Sequence, residues 1–215
     1  MYILALNCGS SSLKYQVFDA DTKQPMVSGN VEKIGLEDSF VTQKYPDGKK
    51  DKKVVSMKDH KEALNVVMGM LRDASIDMNE IGGVGHRVVM GGDKFASSVE
   101  VTDEVIKTLN ELTPLAPLHN PSGVLGIVTA QQLLPNAKQV AVFDTAFHQT
   151  MKPVSYRYPV PTEWYSELGV RRYGFHGTSH RYVSARALEF LGMQAEGTKM
   201  ITAHIGNGGS LAAVV

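Results

Sequence analysis

Hydrophobic and polar positions alternate in short periods at the start of the chain. An apolar run, Tyr2-Ile3-Leu4-Ala5-Leu6, leads into Asn7-Cys8-Gly9-Ser10-Ser11-Ser12, and an alternating run, Leu13-Lys14-Tyr15-Gln16-Val17-Phe18, leads out. That pattern predicts strand, tight polar turn, strand. Gly9 is expected to reverse the chain through a positive φ. Strand alternation should keep Ser12 and Lys14 on one face.

Further strands are predicted over Met26 to Ile34, Ser39 to Tyr45 and Lys53 to Met57, with a Pro46-Asp47-Gly48 turn. The lysines at 49, 50, 52 and 53 read as a solvated loop. From Asp59 to Ala74 the period changes. Leu64, Val67, Met68 and Leu71 follow the three-four spacing of a buried helical stripe. Ile81 to Val89 reads as a strand that emerges at Met90-Gly91-Gly92. Thr102-Asp103-Glu104 and Asn120-Pro121 begin two more helices. Pro114 to His119 between them is too proline-rich for regular structure.

Lys138 to Phe143 is a strongly apolar strand, followed at once by Asp144. Strand, helix, strand with short connections implies parallel pairing, and ligands gather at the carboxyl ends of such strands. Asp144 stands at such an end. A helix-cap or turn role is its alternative. Met151 to Pro161 is punctuated by prolines and reads as an interdomain crossing. A helix then runs to about Leu191, capped by Thr178 or Ser179 and ended by Gly192.

The last residues echo the first. Thr198 to Ile205 reads as a strand, Gly206-Asn207-Gly208-Gly209 as a turn, and Ser210 to Val215 as a second strand. Setting Ser210-Leu211 over Ser12-Leu13 also sets Ala203 over Ala5. Two strand–turn–strand units suggest a duplicated domain with a nucleotide's phosphates held between the copies. The apolar run Leu211 to Val215 has no closing element, so the chain is expected to be a fragment whose second domain continues.

Composition narrows the classes. The chain has 215 residues, long enough for a substantial core, and its formal net charge is +0. That balance gives no electrostatic case for nucleic acid or an anionic membrane. The single cysteine, Cys8, excludes an internal disulfide framework and a multi-cysteine zinc site. With no basic leader and no apolar run of membrane-spanning length, it suggests a soluble cytoplasmic protein.

Candidate chemistry sits in few places. The serine turn offers hydroxyls and backbone N–H groups to a phosphate, with Lys14 as a mobile cation; the alternative is a hairpin tip whose hydroxyls satisfy local backbone groups. Arg87 lies among Val84, Val88 and Val89, where a guanidinium needs an anion or a structural ion pair. His176 and His180 are four apart, but His176 precedes the helix and the glutamate of H-E-x-x-H is missing. A loop histidine aimed at an anion near a helix N-terminus fits better than zinc.

Four blocks, taken together, carry a resemblance: Asn7 to Lys14; Gly85-His86-Arg87-Val88-Val89-Met90-Gly91-Gly92; Phe143-Asp144-Thr145-Ala146-Phe147-His148-Gln149-Thr150; and Tyr173-Gly174-Phe175-His176-Gly177-Thr178-Ser179-His180. The Gly206-Asn207-Gly208 turn is a fifth. In order and spacing the chain resembles the N-terminal half of the acetokinase family of short-chain acyl kinases. Met90 and Gly209 depart from the histidine and serine that many relatives carry there.

The resemblance implies an α/β, ribonuclease H-like duplicated fold, shared with actin, sugar kinases and the heat-shock Hsp70 ATPase, with the second domain incomplete. It implies an actin-like acyl-kinase domain over residues 1–150. Residues 151–215 would hold the crossing segment and the start of the nucleotide-binding domain. The implied reaction is ATP plus acetate giving acetyl phosphate plus ADP, with Mg2+, in a homodimer at full length. Arg87 would bind the carboxylate, and Val89, Leu118 and Phe175 would enclose the methyl group. Asp144 would be the catalytic carboxylate, and His176 would stabilise the migrating phosphoryl group. Asn7 would help place magnesium. Ser10, Ser12, Lys14, His204, Ile205, Gly206, Asn207 and Gly208 would contact ATP. The fragment alone is expected to be a poor kinase. A propionate or butyrate kinase and a non-catalytic nucleotide-binding protein of the same fold are the alternatives.

Overall fold

The computed structural model describes residues 1–215. The chain divides into two compact units, Met1–Val88 with Ser98–Val142, and Val89–Ser97 with Phe143–Val215.

The first unit is built on a mixed sheet. Its strands are β1 (Tyr2–Cys8), β2 (Ser12–Asp19), β3 (Pro25–Glu32), β4 (Phe40–Lys44), β5 (Lys50–Val54), β6 (Ile81–Val88), β7 (Val99–Glu100) and β8 (Lys138–Phe143). The eight strands lie in the order β5-β4-β3-β2-β1-β6-β8-β7. The first five form an antiparallel meander, and β6 joins β1 in parallel. Three helices accompany the sheet: α1 (His60–Asp73), α2 (Asp103–Glu111) and α3 (Asn120–Leu133).

The predicted periodicities explain which faces are dry. Leu4, Leu6 and Cys8 of β1 and Leu13, Tyr15 and Val17 of β2 point into the core, where Leu64, Val67, Met68 and Leu71 of α1 meet them. Each such aliphatic side chain contributes about 1.5–3 kcal/mol when fully buried. Asp59 caps α1 by accepting from the Glu62 N–H, and Glu62 reaches back to accept from the Lys58 N–H. This nearly reciprocal cap satisfies N–H groups that the helix cannot.

The second unit carries α4 (Pro153–Tyr156), α5 (Thr162–Leu168), α6 (Gly177–Leu191) and an antiparallel ribbon of β9 (Met200–Ile205) and β10 (Gly209–Val214). A short 3-10 helix spans Ala146–Thr150. Gly177, His180 and Ser184 form the buried face of α6. Thr202, His204 and Ser210 share one face of the ribbon, while Ile201, Ile205 and Leu211 lie exposed on the other.

Several expectations change. Gly9 does not take a positive φ. A Cβ there would come within 3.0 Å of Ser12 Oγ, so close approach within the turn is its distinguishing demand. The predicted strand at Lys53–Met57 lies instead at Lys50–Val54, and takes in three of the lysines assigned to a loop. It is an edge strand, where lysines stay solvated and blunt further pairing. Pro114 falls within a 3-10 turn, Thr113–Leu115, and Pro153 opens a helical turn. Neither Thr178 nor Ser179 caps α6. The cap position is His176, and it makes no side-chain capping bond.

Candidate active site

In the first unit, strand pairing assembles a polar row. The parallel register sets Leu6 beside His86, which brings Asn7 and Arg87 to neighbouring positions on the face away from the core. Arg87 donates to Asn7 Oδ1 across 3.3 Å. Asn7 faces Lys14 on β2, and Lys14 faces Asn30 on β3. Asn30 donates to Glu32, and its Oδ1 is buried without a hydrogen-bond partner. Ser12 and Lys14 share a face, as alternation required, with Leu13 buried between them. His86 points the other way. It donates to Gln139 Oε1 at 2.8 Å, and burial lowers its pKa.

The serine turn is held from below. The Gly9 N–H donates to the Ser12 carbonyl, and the Ile34 N–H donates to the Ser11 carbonyl. Buried His60, the first residue of α1, donates from Nε2 to the Gly9 carbonyl at 2.6 Å. Ser10 is exposed at the tip. Cys8 lies under the turn against Gly126, and burial pushes its thiol up to about 12. It is therefore an inert packing group. No local pattern marked His60, because its partner is fifty-one residues away.

In the second unit, Asp144 is buried directly after β8. The cap position of the following 3-10 helix is Thr145, not Asp144, so the helix-cap alternative fails there. The Asp144 carbonyl accepts from the Gly177 N–H at 2.9 Å. A Cβ at Gly177 would lie 2.2 Å from that oxygen, so only glycine permits this approach. The contact pins the start of α6 to Asp144. His176, just before it, sits at φ 55 and ψ 25. A left-handed non-glycine residue costs about 1–3 kcal/mol and persists only where surroundings enforce it.

Histidines crowd this region. The rings of His176 and His204 stack with centroids 4.0 Å apart. His176 Nδ1 lies 2.9 Å from Ser210 Oγ, and His204 Nδ1 lies 2.9 Å from Ser179 Oγ. His180 is buried, with Nε2 2.7 Å from Ser210 Oγ and Nδ1 2.8 Å from Thr202 Oγ1. Desolvation, then the neighbouring histidines, lower its pKa. His148 donates to the Phe175 carbonyl. His176 and His180 thus meet on one hydroxyl, although the first lies outside the helix. No group of three or more His, Cys, Asp or Glu side chains is arranged to hold a metal ion.

The remaining predicted residues divide between the units. Val89 is half-buried and Phe175 is 41% exposed, both in the second unit, while Leu118, in the first, is 74% exposed. Gly206, Asn207 and Gly208 form the exposed turn of the ribbon, where the Gly206 N–H donates to the Gly208 carbonyl. Ile205 points to the bare face, opposite His204.

The model of the acetokinase family matches residues 2–215. The chain belongs to the acetokinase family. An acetate kinase of Bacillus anthracis is 51% identical over 214 residues, covering 99% of this chain and 54% of that protein. The crystal structure of Porphyromonas gingivalis acetate kinase superposes with a TM-score of 0.92 at 50% identity, covering 99% of this chain and 54% of that one. A propionate kinase from Francisella tularensis subsp. tularensis SCHU S4 gives a TM-score of 0.93 at 39% identity, covering 100% and 54%. The chain therefore has the acetokinase fold, and it spans about half the length of the relatives it matches. No helix is long and apolar enough to cross a membrane.

Proposed function

We propose that this chain takes part in the ATP-dependent phosphorylation of acetate to acetyl phosphate by direct in-line transfer. The observation that carries the reading is the polar row of the first unit. There Arg87 emerges from an apolar strand beside Asn7 and Lys14, on the face away from the core. A guanidinium so placed suits a carboxylate, which it grips by paired charge-assisted bonds. Family membership supports the acceptor and the donor.

In this reading Arg87 holds the acetate, and Val89, Leu118 and Phe175 limit the size of its methyl end. Asp144 orients the attacking oxygen or handles a proton. His176 donates to the equatorial oxygens of the migrating phosphoryl group. Ser10, Ser12, Lys14 and the segment His204 to Gly208 bind the phosphates of ATP. Such transfer relies on positioning and charge neutralisation.

Mg2+ would arrive with ATP. Asn7 Oδ1, which accepts from the Arg87 guanidinium, offers one neutral oxygen ligand to a phosphate-bound ion. When bound there, the ion would neutralise charge on the transferring phosphoryl group. The reading includes a homodimer at full length and a cytoplasmic location. Both rest on the family resemblance, with the lone cysteine as further support for the second.

The test is Arg87→Ala in the protein that carries these residues. Acetate kcat/KM should fall by about 3–4 kcal/mol at the transition state, with ATP affinity kept. Unchanged acetate use, or a matching loss of ATP affinity, would defeat the reading. The neighbouring propionate kinase supports a second acceptor. A methylene is worth only about 1–3 kcal/mol of discrimination, and Val89 narrows the pocket more than alanine would. A kcat/KM preference for propionate over acetate would reverse the order.

A further inference from the structure

Two imidazole edges face the glycine turn of the ribbon. A Cβ built on Gly208 would lie 3.7 Å from His176 Nε2, and one on Gly206 would lie 3.9 Å from His204 Nε2. The Nδ1 atoms of both rings are taken by serine hydroxyls, Ser210 for His176 and Ser179 for His204. Nε2 is thus the nitrogen that each ring turns toward the glycines.

Ser210 is shared. Its hydroxyl has one proton and lies between His176 Nδ1 at 2.9 Å and His180 Nε2 at 2.7 Å. Beyond it, His180 Nδ1 meets Thr202 Oγ1 at 2.8 Å. Burial and then the neighbouring histidines disfavour the charged form of His180, and the neutral ring has one N–H and one lone pair. The line Thr202–His180–Ser210–His176 therefore has two proton arrangements. In one, Thr202 donates to His180 Nδ1, His180 Nε2 donates to Ser210, and Ser210 donates to His176 Nδ1. Neutral His176 then carries its proton on Nε2. In the other, every bond is reversed, and neutral His176 would turn a lone pair toward the glycines.

A lone pair repels phosphate oxygens, whereas an Nε2–H donates to them. The Nε2–H form is also the tautomer that neutral imidazole side chains prefer in water. We propose that Ser210 and His180 are positioning residues that hold neutral His176 as its Nε2–H tautomer, with that donor turned on the phosphate-binding glycine turn. The proposal rests on the phosphate role given above to the turn.

The test reads proton positions directly. Long-range 1H–15N correlation spectra of the histidine-labelled chain at pH 7.5 should show His176 protonated on Nε2 and accepting on Nδ1. Ser210→Ala should release it into a mixture of tautomers, and Ser210→Thr should restore it. Thr202→Val, which removes only the far hydroxyl, should move His176 in the same direction as Ser210→Ala, so the result does not hang on one variant folding. A wild-type His176 protonated on Nδ1 overturns the proposal. So does a tautomer unmoved by Ser210→Ala or by Thr202→Val. Adding ATP with Mg2+ separates the two readings. If the tautomer depends on Ser210 but ATP shifts neither His176 nor His204, the positioning role stands and the phosphate role fails.

Discussion

The serine turn in the first unit and the glycine turn in its neighbour are alike in sequence, yet they are supported by different means. The strands around Gly9 to Ser12 lie inside an eight-stranded sheet, with Leu4 and Leu13 both 0% exposed. The strands around Gly206 to Gly208 form a two-stranded ribbon whose outer face leaves Ile205 78% and Leu211 72% exposed. The registers differ as well. Ala5 faces Gln16, whose counterpart in the echo is Val214, but Ala203 faces Leu211. The serine turn is held by backbone bonds and His60, whereas the glycine turn is backed by stacked, serine-anchored imidazoles. A shared motif therefore does not imply shared mechanics. One turn draws its rigidity from a dry core, the other from side-chain hydrogen bonds.

The largest expected effect contrasts one glycine from each unit. Gly177→Ala drives a Cβ into the Asp144 carbonyl, so it should cost about 3 kcal/mol. Trp164, the chain's single tryptophan, lies in the second unit and reports its urea transition. Gly9→Ala meets only a serine hydroxyl and should cost under about 1 kcal/mol. Equal losses would mean that the start of α6 is as yielding as the serine turn.

Next comes His60→Ala, which removes the donor to the Gly9 carbonyl and leaves a void. It should cost about 2 kcal/mol by circular dichroism. His60→Gln, which keeps a donor, should recover part of that. Stability unchanged by His60→Ala would show that backbone bonds alone hold the turn.

The smallest effect is common to both units and comes from pH. Burial lowers the pKa of His86 in the first unit and of His180 in the second. For a histidine depressed on folding, the unfolded chain binds more protons, so stability rises with pH. The contribution is complete above the unfolded value of 6.5 and is lost as pH falls through the folded values. Denaturation midpoints at pH 7.5 should thus exceed those below 6. His86→Leu should flatten the first unit's dependence and leave the Trp164 signal's unchanged. A midpoint insensitive to pH would refute a buried neutral state for both rings.

Much of this was readable from local patterns. Apolar runs placed β1 and β8, alternation placed β2, and the three-four stripe placed α1 with Leu64, Val67 and Leu71 inward. The tight motifs marked Arg87, Asp144 and His176 as unusual. Lysines 50, 52 and 53 were misassigned because an edge strand and a solvated loop carry the same charge pattern. Caps proved less legible. Thr102 does cap its helix, whereas Ser179, one of two residues expected to cap α6, bonds a histidine of β9.

The order of residues alone determined which faces are dry and which turns are polar, because period and composition are local properties. Only the tertiary structure decided that Arg87 stands beside Asn7, that His60 supports Gly9, and that Ser210 joins His176 to His180. Those pairs are separated by 80, 51, 34 and 30 residues, respectively. Their meeting depends on strand register and helix docking, which are set by the packing of the whole core.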